Sequence, residues 1–150
     1  MDFYELDKKR AFLVSVKALI FQGQKLLVIK NRNEYWGRES QWEIPGGILE
    51  IDEEIERGLI REVKEETGFD VSVGKIFAVW DDWQPGFKLK DGRTLDIRII
   101  DIGFICRKTG GKVNLSEEHC QFKWANREEL KKLDFAPNSK GAIERYLKQS

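Results

Sequence analysis

The chain has 150 residues, and its 26 basic and 26 acidic side chains give a formal net charge of zero at pH 7. This length is typical of one domain with one core, and we predict a single domain over residues 1–150. The balanced charge leaves no electrostatic footprint for a nucleic-acid polymer or an anionic membrane, so we expect neither partner. The acidic start argues against a signal peptide and no apolar run could span a bilayer, which predicts a cytoplasmic protein. Cys106 and Cys120 are expected to be reduced, mostly buried thiols.

In the first third of the chain, alternating apolar residues predict a β-hairpin with strands at 11–21 and 25–30 and a turn at 22–24. Lys17 interrupts the apolar run of the first strand. A polar loop is expected over 31–40, followed by a short extended segment at 41–44 and a sharp turn at 45–47.

The pattern then becomes helical over 51–67, because apolar residues recur at four-residue steps while the opposite face is charged. These apolar residues are Ile51, Ile55, Leu59 and Val63, with Ile60 widening the stripe. Gly58 in the middle of the helix indicates close packing there, and Gly68 is the expected C-terminal stop.

In the second half we predict a strand at 69–83, a loop at 84–93, a long strand at 95–107, a turn at 110–111 and a short strand at 121–124. Two helices are expected at 127–133 and 139–148. Strands mixed with one central and one terminal helix predict a compact α/β sandwich.

Three carboxylates lie on one face of the predicted central helix. Glu62, Glu65 and Glu66 stand at positions i, i+3 and i+4, where neighbouring Cβ atoms are about 5–6 Å apart. Such closely spaced carboxylates repel each other unless a cation compensates, and hard oxygen ligands of this kind suit Mg²⁺ or Mn²⁺. Taken alone, the cluster is more typical of a solvated acidic helix face than of a metal site.

The surrounding stretch, GILEIDEEIERGLIREVKEETGF at 47–69, resembles the Nudix box, G-x5-E-x7-R-E-U-x-E-E-x-G-U, in which U is a bulky aliphatic or aromatic residue. Every specified position is filled, by Gly47, Glu53, Arg61, Glu62, Val63, Glu65, Glu66, Gly68 and Phe69. The lead-in WEIPGG at 42–47 and the later acidic segment at 117–130 also resemble this family. Coincidence on this scale is improbable at ordinary residue frequencies.

The resemblance implies a Nudix-type α/β/α sandwich with a mixed sheet and a magnesium-dependent pyrophosphohydrolase that uses two or more ions, with Mn²⁺ as a substitute. The implied metal ligands are Glu62, Glu65, Glu66 and the carbonyl of Gly46. The implied structural residues are Gly47, Gly68 and Glu53, the last paired with Arg61. Catalytic roles fall to Glu62, Arg61 and Glu118, the general base; Glu117, Asp81, Asp82 and the box glutamates remain alternatives for the base.

For substrate binding we expect Trp80 or Trp83 to stack on a base, and Arg32 and Arg38 to contact phosphates. His119, the single histidine of the chain, is expected to be solvated or bonded to the backbone rather than catalytic.

The preferred substrate is a nucleoside triphosphate, including an oxidised one, cleaved to the monophosphate and pyrophosphate. Pro85 follows the box at a distance that resembles ADP-ribose hydrolysing members, so ADP-ribose or another nucleotide sugar is the alternative, and dinucleoside polyphosphates also stay open. A catalytically idle Nudix fold that senses nucleotides or binds a protein is the alternative of another class. It has no physical reason to keep mutually repelling glutamates. A homodimer is among the expectations, because family members are often dimers.

Overall fold

A computed structural model describes residues 9–32, 40–89 and 91–149 of the chain. Seven strands lie within this part: β1 Arg10–Gln22, β2 Lys25–Asn31, β3 Trp42–Glu43, β4 Gly46–Ile48, β5 Phe69–Lys88, β6 Thr94–Gly111 and β7 His119–Ala125. Three helices accompany them: α1 Ile55–Thr67, α2 Arg127–Leu130 and α3 Pro137–Lys148.

The seven strands form one mixed sheet with β1 at its centre. β1 runs parallel to β6, from Arg10 opposite Asp96 to Ile20 opposite Cys106, and β6 is antiparallel to β5. On its other edge β1 is antiparallel to β4 and, near its end, to β2, which also pairs with β3 and β7. The predicted α/β fold with a mixed sheet is therefore confirmed.

The two faces of β1 pack into different halves of the core, because successive side chains of a strand point to opposite faces. Val16, Ala18 and Ile20 pack with Leu59 and Val63 of α1. Leu19 lies on the other face, in a cluster that includes Ala142 and Ile143 of α3. The sheet is thus covered by α1 on one side and by α3 on the other.

Helix α1 begins at Ile55, four residues later than predicted. The carboxylate of Glu53 accepts the amide N–H of Glu50 at 3.0 Å, which stabilises a turn ahead of the helix. The predicted apolar stripe is therefore wrong at its start, where Ile51 is fully exposed, and Ile55 and Ile60 are also exposed. Close packing at Gly58 is confirmed, since a Cβ there would lie 2.8 Å from Glu53 Oε1.

Strand β5 continues to Lys88, so the loop predicted over 84–93 is wrong for its first five residues, 84–88. Gln84 pairs with Ile97 and Phe87 with Leu95, and the register shift between them accommodates Pro85 and Gly86 as a bulge. Of the predicted turn at 45–47, Pro45 forms a bend and Gly46 and Gly47 lie in β4, whereas both residues of the predicted turn at 110–111 lie at the end of β6. Flanking residues alone did not reveal these long-range pairings.

Both cysteines are free, with Cys106 buried and Cys120 exposed, so the expected burial holds only for the former. In the described part of the chain no helix has the length and hydropathy needed to cross a membrane.

Candidate active site

A cavity of about 620 Å³ is lined by residues of β1, β4 and β6 and by the C-terminal half of α1. Its floor consists of every second residue of two neighbouring strands, as expected when one face of a sheet lines a pocket. The residues are Leu13, Ser15 and Lys17 of β1 and Ile97, Ile99 and Asp101 of β6. The parallel register places Ser15 beside Asp101, so the apolar residues lie at one end of the floor and the charged ones at the other.

The three glutamates of α1 line the wall at the charged end. Glu66 is buried, and its Oε1 accepts the amide N–H of Gly46 at 2.9 Å. Glu62 lies against Gly47, where a Cβ would stand 2.6 Å from the carboxyl carbon. Glu65 is exposed and also lines the cavity. The i, i+3, i+4 spacing therefore brings the three side chains into one cavity.

Burial raises the pKa of Glu66 well above its usual range, and the neighbouring charge of Glu43 raises it further. The pKa of Glu62 is also raised, mainly by burial. The positive charge of Lys17 tends to lower the pKa values of Glu43, Glu62 and Glu66, but one ammonium does not balance three carboxylates. A divalent cation would let these carboxylates ionise together, so the donor set fits a hard metal ion.

Arg61 connects the segment before α1 to the glutamates on it. Its Nε and Nη2 donate to both oxygens of Glu53, at 2.9 and 2.7 Å, in a bidentate pair. Its Nη1 lies 3.2 Å from Glu62 Oε1 and 3.2 Å from Glu65 Oε2. The hydrogen bonds from Arg61 hold the pKa of Glu53 at about 2. Arg61 is thus positioned both to fix the turn before α1 and to orient two carboxylates.

His119 is buried, and its environment differs from the solvated or backbone-bonded one expected. Its Nε2 lies 2.7 Å from Glu43 Oε1 and 3.4 Å from Glu66 Oε2, and its Nδ1 lies 2.9 Å from Ser116 Oγ. Asn138 Nδ2 donates to the second oxygen of Glu43 at 3.1 Å. An ionised Glu43 only accepts hydrogen bonds, so it selects the tautomer with the proton on Nε2.

This network joins β3, β7, α1 and the first turn of α3 beside the cavity. Ligand atoms of Glu43, Glu66 and His119 also lie within 4.8 Å of one another, a grouping that could hold a metal ion. It shares Glu66 with the ligand set predicted from the box.

Of the candidate general bases outside the box, Glu117 and Glu118 both line the cavity from an exposed turn before β7. They do not alternate as in an extended segment, because the His119 amide N–H bonds the carbonyl of Ser116 at 3.1 Å and closes the turn. Asp81 instead pairs with Arg98 on the opposite face of β5.

Of the residues predicted to bind substrate, the described ones, Trp80, Trp83 and Arg32, do not line the cavity. Trp80 is in the core under α3, where its Nε1 donates to the carbonyl of Asn138 at 3.1 Å, so its prediction as a stacking residue is wrong. Trp83 faces away from the cavity, because the next residue, Gln84, lines it. Arg32 is exposed and is not among the cavity-lining residues, and Arg38 lies outside the described residues.

Three buried charged residues line the cavity but were not predicted to be site residues: Lys17, Glu43 and Asp101. Each interrupts a segment that otherwise reads as a buried strand, and charged side chains are seldom fully buried without a specific reason. A charged residue inside an apolar strand pattern was therefore the sequence feature that could have indicated these three site residues.

Comparison with known proteins identifies the family. A family model described as the NUDIX domain matches residues 11–146. An ADP-ribose pyrophosphatase of Methanocaldococcus jannaschii is 29% identical over 134 residues, which are 87% of this chain and 73% of that protein. A nucleoside triphosphatase NudI of Enterobacter sp. is 34% identical over 99 residues, covering 63% of this chain and 67% of that protein.

A MutT-like protein of Streptomyces ambofaciens is 35% identical over 89 residues, 59% of this chain, and the chain spans about half the length of that relative. The crystal structure of a MutT protein from Methanosarcina mazei Go1 superposes with a TM-score of 0.72 at 25% identity, covering 94% of this chain and 99% of that one. The match of the family model across nearly the whole chain, together with the complete box, shows that the chain belongs to the Nudix family of hydrolases.

Proposed function

We propose that the chain is a divalent-metal-dependent pyrophosphohydrolase that cleaves a phosphoanhydride bond in a substrate containing a nucleoside diphosphate group. The observation that carries this proposal is the cavity itself, with buried carboxylates at one end and an apolar floor at the other. A carboxylate-bound cation is suited to a pyrophosphate, and an apolar pocket is suited to a nucleobase.

Glu62, Glu65 and Glu66 would hold Mg²⁺ or Mn²⁺, together with the Gly46 carbonyl. The donor chemistry fits because burial disfavours the ionised forms of Glu62 and Glu66, which a bound divalent cation would stabilise. The bound ions would neutralise phosphate charge and lower the pKa of an attacking water. Gly47 leaves room for the Glu62 carboxylate, and Arg61 would orient Glu62 and Glu65.

The reaction adds one water across the phosphoanhydride bridge, so that one P–O bond breaks and each product carries a phosphate terminus. A carboxylate at the cavity opening would accept the proton of that water, a contribution typically worth about 10²–10⁴-fold. Glu118 is our first choice for this base, and Glu117, which lines the same opening, is the second.

The substrate we propose first is a nucleoside triphosphate, including an oxidised one, with pyrophosphate as the leaving product. Relatives named nucleoside triphosphatase NudI support this choice, because they reach 34% identity. ADP-ribose is the second candidate, and a specific observation favours it: the M. jannaschii relative named ADP-ribose pyrophosphatase aligns with 87% of this chain.

A panel of nucleotides tests both proposals. Purified protein is incubated with normal and oxidised nucleoside triphosphates, ADP-ribose and other nucleotide sugars, and dinucleoside polyphosphates, with Mg²⁺, with Mn²⁺ and with excess EDTA. Pyrophosphate release reports cleavage of a triphosphate, and chromatography of the nucleotide products reports cleavage of the other substrates, such as AMP from ADP-ribose. We expect turnover that disappears on chelation and returns with either metal. Full turnover in EDTA would contradict the mechanism. Nucleotide binding without hydrolysis of any substrate would instead favour a catalytically idle sensor.

A further inference from the structure

Lys17 is the cation of the cavity. Of the described residues that line the cavity, Lys17 alone carries a positive charge, whereas seven carry a carboxyl group. The acidic residues are Glu43, Glu62, Glu65, Glu66, Asp101, Glu117 and Glu118. Lys17 is also one of the most deeply buried side chains, with 2% of its surface exposed. A lysine in this position is unusual, because a buried ammonium loses its hydration.

The positive charge of Lys17 acts on the carboxylates around it, because it favours the ionised forms of Glu43, Glu62 and Glu66. Burial deprives the ammonium of its hydration, and an anionic ligand in the cavity would offset that cost.

The backbone fixes Lys17 next to the carboxylates of α1. Lys17 stands opposite Gly46 in the β1–β4 ladder, and Gly46 in turn donates its amide N–H to Glu66. Leu13 lines the apolar end of the same floor, four residues earlier on β1. At about 3.3 Å per residue, the two ends are roughly 13 Å apart, a span suited to an extended nucleotide.

We propose that Lys17 binds a non-bridging oxygen of the substrate's diphosphate group and so directs the nucleoside toward the apolar end of the floor. This inference rests on the proposed function and adds a substrate contact from outside the Nudix box. A lysine ammonium is a compact point charge that binds phosphate oxygens, and here it would share the neutralisation of the phosphate charge with the metal ions that the carboxylates would hold.

Binding of inorganic pyrophosphate, measured by calorimetry in the presence of Mg²⁺, tests this contact without turnover. Lys17→Met keeps the length of the side chain and removes its charge, and we expect it to weaken pyrophosphate binding on the order of 10- to 100-fold. Lys17→Arg keeps the charge and should retain most of the affinity. Lys75→Met is the matched control, because Lys75 is exposed on β5 away from the cavity, and it should bind as the wild type does.

Two further measurements separate a substrate contact from a purely structural charge. Mg²⁺ alone should bind Lys17→Met at least as tightly as the wild type, since a competing cation is gone. In steady-state kinetics, KM should rise by more than kcat falls. If Lys17→Met does not fold, Lys17→Gln provides the neutral variant.

Equal pyrophosphate affinity of the wild type and the neutral variant would overturn the assignment of Lys17 alone. Tighter pyrophosphate binding by the neutral variant would also overturn it and would show that Lys17 only neutralises the carboxylates. A wild-type protein that binds pyrophosphate but turns over no nucleotide would instead contradict the proposed function.

Discussion

Gly47→Ala tests whether the carboxylate of Glu62 must stay where the structure has it. A Cβ at Gly47 would lie 2.6 Å from Glu62 Cδ and 2.7 Å from both carboxylate oxygens, whereas ordinary contact begins at 3.4 Å. The carboxylate would therefore have to retreat by about 0.8 Å. It is the end of a flexible side chain, so we expect the fold to survive and the carboxylate to be displaced.

A misplacement of about 1 Å at a reacting centre can cost on the order of 10²-fold in rate. We therefore expect kcat to fall about 10²-fold in Gly47→Ala, with a higher Mg²⁺ concentration needed for half-maximal rate. The assay is steady-state pyrophosphate release at saturating nucleotide over a Mg²⁺ titration, with the melting temperature measured in parallel.

Gly110→Ala is the matched control, because the nearest atom to its added Cβ, Asp70 Oδ2, is 3.5 Å away and needs no movement. It should keep the wild-type rate and Mg²⁺ dependence. A Gly47→Ala enzyme with a rate within about threefold of the wild type and the same Mg²⁺ dependence would refute the reasoning, since a displaced ligand on this scale should cost about 10²-fold.

Three further predictions concern the carboxylates and Arg61. Glu66→Gln should lose activity by orders of magnitude yet fold at least as stably without metal, because burial disfavours the charge that it removes; a near-wild-type rate would mean that the ligands lie elsewhere. Arg61→Ala should lower both activity and the melting temperature. The folded pKa of Glu53 is lowered to about 2, so its pairing with Arg61 stabilises the fold fully above about pH 4.5. The difference in melting temperature between wild type and Arg61→Ala should therefore be largest above that pH and shrink as the pH falls toward 2. A difference that does not depend on pH would contradict the pairing. Glu118→Gln should reduce kcat about 10²–10³-fold with little change in KM. If Glu117→Gln is inactive and Glu118→Gln is active, the general base is Glu117.

The local part of the site could be predicted from the sequence. The three carboxylates of α1 share a cavity because residues i, i+3 and i+4 lie on one face of any helix. The eight-residue offset between Glu53 and Arg61 likewise anticipated a pair, which the structure has as two hydrogen bonds. These relations depend on backbone geometry within one short segment.

The remaining site depends on which distant segments meet. Lys17 and Asp101 share a floor only because β1 and β6 pair in parallel in one particular register. His119 turns inward because β7 pairs with β2 and brings it against Glu43 of β3. Trp80 was misassigned for the same reason, since α3, which buries it, lies far away in the sequence.

The sequence by itself therefore determined the family, through the complete box, and the helix that carries the three carboxylates, because both depend on residue spacing inside one short segment. Only the tertiary structure decided the cavity floor, the buried network of Glu43 and His119, and the position of Lys17. Alternation along a strand shows which side chains share a face, but it does not show which other element will cover that face. That depends on the pairing of strands that are far apart in the sequence.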